Sequence, residues 1–253
     1  MDKMIHVALN NMKNIRNETV LQAQNIANIS VSGYRRDISA QGGSSFLEAM
    51  GEFSSRAYVP PSGKSHFSNA PGLVTETGAE LDLAFINDGY FYIQPDNGAP
   101  ALSRRGDLKL NADRILVNGA DQKVLDSSGA EIFIPEYRYI SIGKFGEITI
   151  EPAGGLPGVK EVVAELGITT AVGADLSKEG TGFIRMSDGS ALPAPDQLGQ
   201  IIQGSIEGSN VNTVDELVSS IDTQRAFEIA VKFVKQAQEI DERGTEIMRM
   251  PNV

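Results

Sequence analysis

Apolar positions at the start of the chain recur with a 4-3 spacing at Met1, Ile5, Ala8, Met12, Ile15, Thr19, Gln22, Ile26 and Ile29. This spacing is the seam of a coiled-coil helix, and it predicts a helical segment over residues 1–36. The polar Thr19 and Gln22 set its register or face a polar partner. Gly33 supplies a residue able to take positive φ after the helix has ended. The period then disappears. Residues 37–72 are rich in Ser, Gly and Pro, with breakers at Gln41 to Ser45 and Pro60 to Gly63, so an extended arm or linker is expected.

From residue 73 the chain alternates in short apolar runs, beginning with Leu81, Leu83 and Phe85 and turning at Asn87-Asp88-Gly89. Turn chemistry at Asp96-Asn97-Gly98, Asn118-Gly119, Ser128-Gly129 and Ser187-Asp188-Gly189 separates runs such as Tyr90 to Ile93, Ile115 to Val117 and Ile148 to Ile150. Strands at this spacing predict a sandwich or irregular barrel over residues 73–205. Helical period returns after Asn210, where Thr213-Val214-Asp215-Glu216 fits a capping box ahead of an apolar stripe through Val214, Val218, Ile221, Val234 and Ile240. A helix from 213 to 250 is roughly 55 Å long, too long to bury on a small β domain.

The expected fold class is therefore α+β, with long N- and C-terminal α-helices forming a coiled-coil-like bundle and a central all-β domain. The segments are a terminal helix at 1–36, an arm at 37–72, a β domain at 73–205 and a second helix at 206–253. Two arrangements of the helices stay open: a hairpin within one chain, or completion between subunits. The β fragment 73–205 is expected to fold alone.

Composition narrows the function. A formal charge of -11 repels phosphate backbones, which makes nucleic acid a poor partner. The charge is uneven: residues 1–36 carry five basic and two acidic side chains, and residues 207–253 carry five basic and nine acidic. No cysteine is present, which removes disulfides, thiolate nucleophiles and Cys-based zinc sites. No cleavable secretory signal is expected, because Asn10, Asn11, Lys13, Asn14 and Arg16 interrupt any apolar run at the start, and no stretch has the length of a membrane span.

Tempting enzyme chemistry fails on its details. Pro60-Pro61-Ser62-Gly63-Lys64-Ser65 ends like a phosphate-binding loop, but Tyr58 stands where the first glycine belongs and no apolar strand leads in. Gly180-Thr181-Gly182 lacks its third glycine, since Arg185 occupies that place. The two histidines, His6 and His66, have no second ligand at metal spacing, and no Gly-x-Ser-x-Gly elbow occurs. Catalytic residues, cofactors and metals are therefore expected to be none.

The run Asn25-Ile26-Ala27-Asn28-Ile29-Ser30-Val31-Ser32-Gly33-Tyr34-Arg35-Arg36 resembles the amino-terminal signature of flagellar axial proteins, N-L-A-N-x-x-T-x-G-[FY]-[KR]. Gln203-Gly204-Ser205-Ile206-Glu207-Gly208-Ser209-Asn210-Val211 and Gln224-Arg225-Ala226-Phe227-Glu228 resemble the second signature, Q-G-x-L-E-x-S-N-V with Q-R-A-[FY]-E. Leu81-Asp82-Leu83-Ala84, Gly89-Tyr90-Phe91 and Arg105-Gly106-Asp107-Leu108 resemble the central domain shared by hook and rod proteins. By this resemblance the chain is identified as a member of the flagellar basal-body rod protein family. Its length argues against the short proximal rod subunits and the much larger hook protein.

The resemblance implies a structural rod subunit in the drive shaft that carries torque from motor to hook. Its implied partners are other rod proteins, both proximal subunits and the distal-rod protein, together with copies of itself and the flagellar type III export apparatus. It also implies a basal-body location, in the rod crossing the periplasm, after export without signal cleavage. Subunit contacts are expected on the first helix at Ile5, Ala8, Met12, Ile15, Asn25, Ile26, Ala27, Asn28, Gly33 and Tyr34. On the second they are expected at Asn210, Val214, Val218, Ile221, Gln224, Arg225, Phe227, Val234 and Ile240. The competing class is a secreted β-domain binding or adhesin module with helical oligomerisation tails; an enzyme hidden in the β domain is the third.

Overall fold

The computed structural model describes residues 2–38, 66–96, 98–180 and 182–248, with the side chains of 2–10, 241 and 246–248 excepted. The phosphate-loop-like segment at 60–65 and most of the expected arm lie outside the described residues, as do Asn97 and Thr181. Two compact units are present: residues 2–27, 37–38 and 212–248 make one, and residues 28–36 and 66–211 make the other.

The larger unit is built from short antiparallel strands. Its main sheet runs in the order Leu176–Lys178, Ile184–Met186, Ala101–Ser103, Tyr90–Gln94, Lys123–Val124, Leu116–Asn118 and Leu108–Leu110, with Ile168–Thr169 also pairing with Tyr90–Gln94. Alternation on Tyr90–Gln94 decides the layering. Phe91 enters the principal core with Phe85, Leu116, Ile140, Ile148, Ile150 and Ile168. Tyr90 and Tyr92 enter a second cluster with Leu102, Leu125 and Ile184. Three further strands, Tyr137–Ile142, Glu147–Pro152 and Glu161–Glu165, form a meander whose inner residues Ile140, Ile142, Ile148 and Ile150 close the principal core. The ends of the unit are tied by two ladders, Leu83–Phe85 on Ile201–Gln203 and Val74–Glu76 on Ser205–Glu207.

The helical unit contains α1 (Asp2–Ala27) and α2 (Thr213–Met248). They run antiparallel: Gln22 Nε2 donates to Ser219 Oγ and Thr223 Oγ1 at 2.8 Å, while the later residue Asn25 donates to the earlier Glu216. The buried positions of α2, Glu216, Thr223, Ala230 and Ala237, recur every seven residues and are small or polar.

This corrects the expected fold class. The described chain is mostly strand, turn and loop, with two helices among the described residues, and the long coiled-coil-like bundle is not formed. α1 is short and stops at Ala27, before the last expected seam residue, Ile29. The large apolar residues of α2 that suggested a bundle core, Val214, Val218, Ile221 and Ile240, are 55 to 66% exposed. Periodicity reports an apolar face without saying what covers it.

The cap of α2 also differs from the expected box. Asn212 Oδ1 accepts from Val214 N at 3.0 Å, which makes Asn212 the cap. Glu216 is instead fully buried against Asn25.

Signature residues and candidate subunit interface

Within the β unit, the two signature segments meet at one buried carboxylate. Glu207, on the strand Ser205–Glu207, receives Arg35 Nη2 on Oε1 at 3.1 Å and Arg104 Nε on Oε2 at 2.5 Å. Gly72 N also donates to Oε1, at 2.8 Å. All three charged side chains are 2 to 3% exposed. Two cations and one anion in so dry a place repel as well as attract, and both burial and the neighbouring Arg104 hold the Arg35 pKa below its ordinary value.

Hydrogen bonds to the backbone make the arrangement tolerable. Arg104 donates through Nη1 to Gly89 O and through Nη2 to Asn87 O, pinning the Asn87 to Gly89 turn, and its guanidinium lies 5.2 Å from the Phe85 ring centre. Arg35 Nη1 donates to Ala70 O. Lys178 Nζ donates to Arg35 O at 2.7 Å and sits 3.5 Å from the centre of the Tyr34 ring. The backbone of Glu207 is used as well: its carbonyl accepts from Gly33 N and Ser32 Oγ.

Asn210 completes the junction. Its Oδ1 accepts from Arg36 N, its Nδ2 donates to Ser68 O and Ala70 O, and its own N donates to Tyr34 O. Gln203 caps the edge strand Tyr137–Ile142, accepting from Ile142 N and donating to Ile140 O and Glu80 O.

Gly33 takes φ of +65°, the positive value expected from the sequence, and it does more than follow a helix. A Cβ there would lie 2.2 Å from Arg104 O. Gly33→Ala is expected to combine that clash with a left-handed strain of about 1–2 kcal/mol. Gly129→Ala, at φ +85° in open space, carries the strain alone. Thermal melts should show the larger loss for Gly33→Ala; equal losses would remove the close approach as a reason for this glycine.

The helical unit holds the rest of the signatures. Asn25 is buried and bonds reciprocally with Asp37, its Nδ2 donating to Asp37 O at 3.0 Å and its Oδ1 accepting from Asp37 N at 2.8 Å. Ile15 is buried, and Met12, Ile26 and Val234 are half-buried. Ala27, Val214, Val218, Ile221, Gln224, Arg225, Phe227 and Ile240 are exposed. In the β unit Gly33 is buried, with Asn28, Tyr34 and Asn210 half-buried. Ile5 and Ala8 lie on α1 where side chains are outside the described set.

The expected interface residues thus divide. Some are spent inside one chain; of the exposed ones Ala27 lies on α1, and Val214, Val218 and Ile221 stand on an outward face of α2 to which Leu217 and Ile229, at 53 and 66% exposure, also belong. Sequence reasoning passed over Arg35, Arg104, Glu207 and Lys178 as functional residues. The signal was present, since Arg35 and Glu207 stand in the two signatures. Among the described residues no cluster of three His, Asp or Glu side chains could hold a metal ion.

Comparison with known proteins gives this geometry its context. The family described as flagellar hook protein FlgE/F/G D1 domain matches residues 84–154, and that described as flagellar basal body rod FlgEFG protein C-terminal matches residues 202–247. The flagellar basal-body rod protein FlgF of Salmonella typhimurium is 26% identical over 99% of this chain and 100% of its own length. The rod protein FlgG of Bacillus subtilis is 29% identical, over 94% and 96% respectively. The rod protein FlgF of Caulobacter vibrioides is 30% identical over 97% of this chain and 98% of its own.

The chain belongs to the flagellar basal-body rod protein family. It is a structural rod protein of the basal body and not an enzyme. The similarity runs through α1, the β unit and α2 alike, so a rod protein accounts for the helices that an adhesin module would have needed as separate tails. In this rod protein the Glu207 junction belongs to the central and carboxy-terminal parts that the family matches name, and Arg35 reaches it from the other end of the chain. Among the described residues no helix is long and apolar enough to cross a membrane.

Proposed function

We propose that this rod protein joins the axial shaft through the outward face of α2 and the exposed parts of α1, packing on copies of itself as well as on other rod proteins. One observation carries the reading. Val214, Leu217, Val218, Ile221 and Ile229 stand 53 to 66% exposed on the side of α2 away from its buried Glu216, Thr223 and Ala230. A row of large apolar side chains on one helix face is what an obligate partner covers. Ten further positions expected at subunit contacts, Ile5, Ala8, Met12, Ile26, Ala27, Gln224, Arg225, Phe227, Val234 and Ile240, belong to the same two helices.

The finer reading follows from this role. The chain is delivered by the flagellar type III export apparatus without signal cleavage, takes its place in the rod where it crosses the periplasm, and carries torque from motor to hook. Absence of cysteine suits that route, because no disulfide has to be made or broken on the way.

Replacing Val218 and Ile221 together by Asp tests the face. Both are exposed, so the isolated chain should keep its stability within about 0.5 kcal/mol per site. The same variant should be missing from purified basal bodies, and cells carrying it should not swim. Normal incorporation of the doubly charged chain would end the claim that this face is covered in the rod.

A further inference from the structure

α1 carries a second row of residues at heptad spacing, distinct from the one that suggested a seam. Lys13, Arg16, Val20, Ala23 and Ala27 follow at intervals of three and four, and all are exposed. They lie on the side of the helix turned from Ile15 and Asn25, its buried positions. The row begins with two cations and continues in small apolar residues, a ridge that lets another helix approach closely.

A groove of matching character runs along the helix pair. Glu18 of α1, with Asp215, Val218, Ser219, Asp222, Thr223 and Ala226 of α2, lines an open cleft of about 520 Å³. Three carboxylates stand on its walls, with Val218 and Ala226 supplying the apolar part. Residues 213–223 of α2 contain no Lys or Arg; the first, Arg225, has its Nη1 4.0 Å from Asp222 Oδ1. The groove is therefore an anionic site with an apolar lining, and its outer residues Asp215, Val218 and Asp222 are exposed.

We propose, resting on the rod-subunit reading above, that the Lys13 to Ala27 ridge of one copy docks in the Glu18, Asp215 and Asp222 groove of the next copy. Charge complementarity selects the occupant, because Lys13 and Arg16 meet three carboxylates while Val20 and the two alanines meet Val218 and Ala226. The ridge faces away from α2 and so cannot fill the groove of its own chain. A contact between two different faces is head-to-tail, and such contacts propagate into open helical assemblies unless the rotation closes a ring. Ion pairs at an exposed rim fix register and orientation more than they add affinity, which is what a lattice of identical subunits needs.

The chain has no cysteine of its own, so the introduced thiol is the single one each variant carries. In cells co-expressing two otherwise unaltered chains, one Val20→Cys and the other Val218→Cys, a short bis-maleimide applied to isolated basal bodies is expected to give a dimer containing one of each. Linkage of Val20→Cys chains to one another would overturn the proposal in favour of a symmetric α1 contact. Linkage of Val218→Cys to a different rod protein would place that protein in the groove instead. No linkage, with both chains present in the basal bodies, would also overturn it and leave rod membership standing; absence of even the unaltered chain would sink the rod reading and this one with it. A charge exchange checks the result independently of the thiols. Lys13→Glu with Arg16→Glu, and separately Asp215→Lys with Asp222→Lys, should each cause loss of swimming, and the four changes together should restore it. Failure of the combined variant to recover, with each chain still folded by circular dichroism, would refute the pairing.

Discussion

Glu207→Leu is expected to destabilise the β unit by about 3–5 kcal/mol, the usual cost of breaking a buried ion pair from one side. The reason is what remains. Arg35 and Arg104 stay 3% exposed and lose the carboxylate they share, and Gly72 N loses its acceptor. Domains of this kind are stable by roughly 5–15 kcal/mol in total, so the change should consume much of the margin. With a urea slope of about 1–3 kcal/mol per molar, the midpoint should fall by at least about 1 M.

Two comparisons keep that prediction sharp. Asp107→Asn breaks the Arg105–Asp107 pair, whose side chains are 24 and 31% exposed, and should cost no more than about 1 kcal/mol. Replacing Arg35, Arg104 and Glu207 together by apolar residues should recover part of the loss, because no buried charge is then left alone. Recovery stays partial, since Arg104 also holds the carbonyls of Asn87 and Gly89. A Glu207→Leu midpoint within error of the parent chain would show that water or rearrangement satisfies both arginines.

The β unit was largely legible in the sequence, because period-two alternation and turn residues are local signals. The run Tyr90 to Ile93 became the strand Tyr90–Gln94, and Ile148 to Ile150 became the centre of Glu147–Pro152. The positive φ at Gly33, Gly129 and Gly189 follows from the same local chemistry. What could not be read was which distant residues close on one another. Arg35, Arg104 and Glu207 are separated by most of the chain, and a charged residue in an apolar setting gives no hint of its partner until the ladders are paired.

The packing of the helices is not legible in the sequence for a related reason. Apolar spacing on α2 is real, but the side that packs on α1 is the small and polar row through Glu216, Thr223, Ala230 and Ala237. A stripe of Val and Ile advertises a partner without saying whether that partner is the same chain. Several signature residues were expected at subunit contacts, yet Asn25 and Gly33 are buried and bonded within their own chain. A motif can therefore be specific to a family because it holds the fold that the assembly uses.

The β fragment expected from the sequence, residues 73–205, should fold poorly by itself, whereas residues 66–211 should unfold as one cooperative unit. The shorter cut removes the strand residues Ile206 and Glu207, so the ladder with Val74–Glu76 keeps only its Ser205 to Glu76 end. It also removes the carboxylate that neutralises Arg104, while leaving that arginine between the Phe85 ring and the carbonyls of Asn87 and Gly89. The longer cut loses Arg35 but keeps Glu207 with Arg104 and Gly72, so those two buried charges balance each other, while Lys178, also buried, is common to both fragments. An unpaired buried cation costs several kcal/mol. Urea unfolding followed by circular dichroism should therefore place the midpoint of 73–205 well below that of 66–211, with a broader transition. Adding Arg104→Met to 73–205 should raise its midpoint, since the stranded charge is then gone, although the same change should lower the midpoint of 66–211, where it strands Glu207 instead. Equal midpoints for the two fragments would mean that residues 206–211 are dispensable to the β unit; a lower midpoint on adding Arg104→Met to 73–205 would mean that Arg104 serves there chiefly as the clamp on the Asn87 to Gly89 turn.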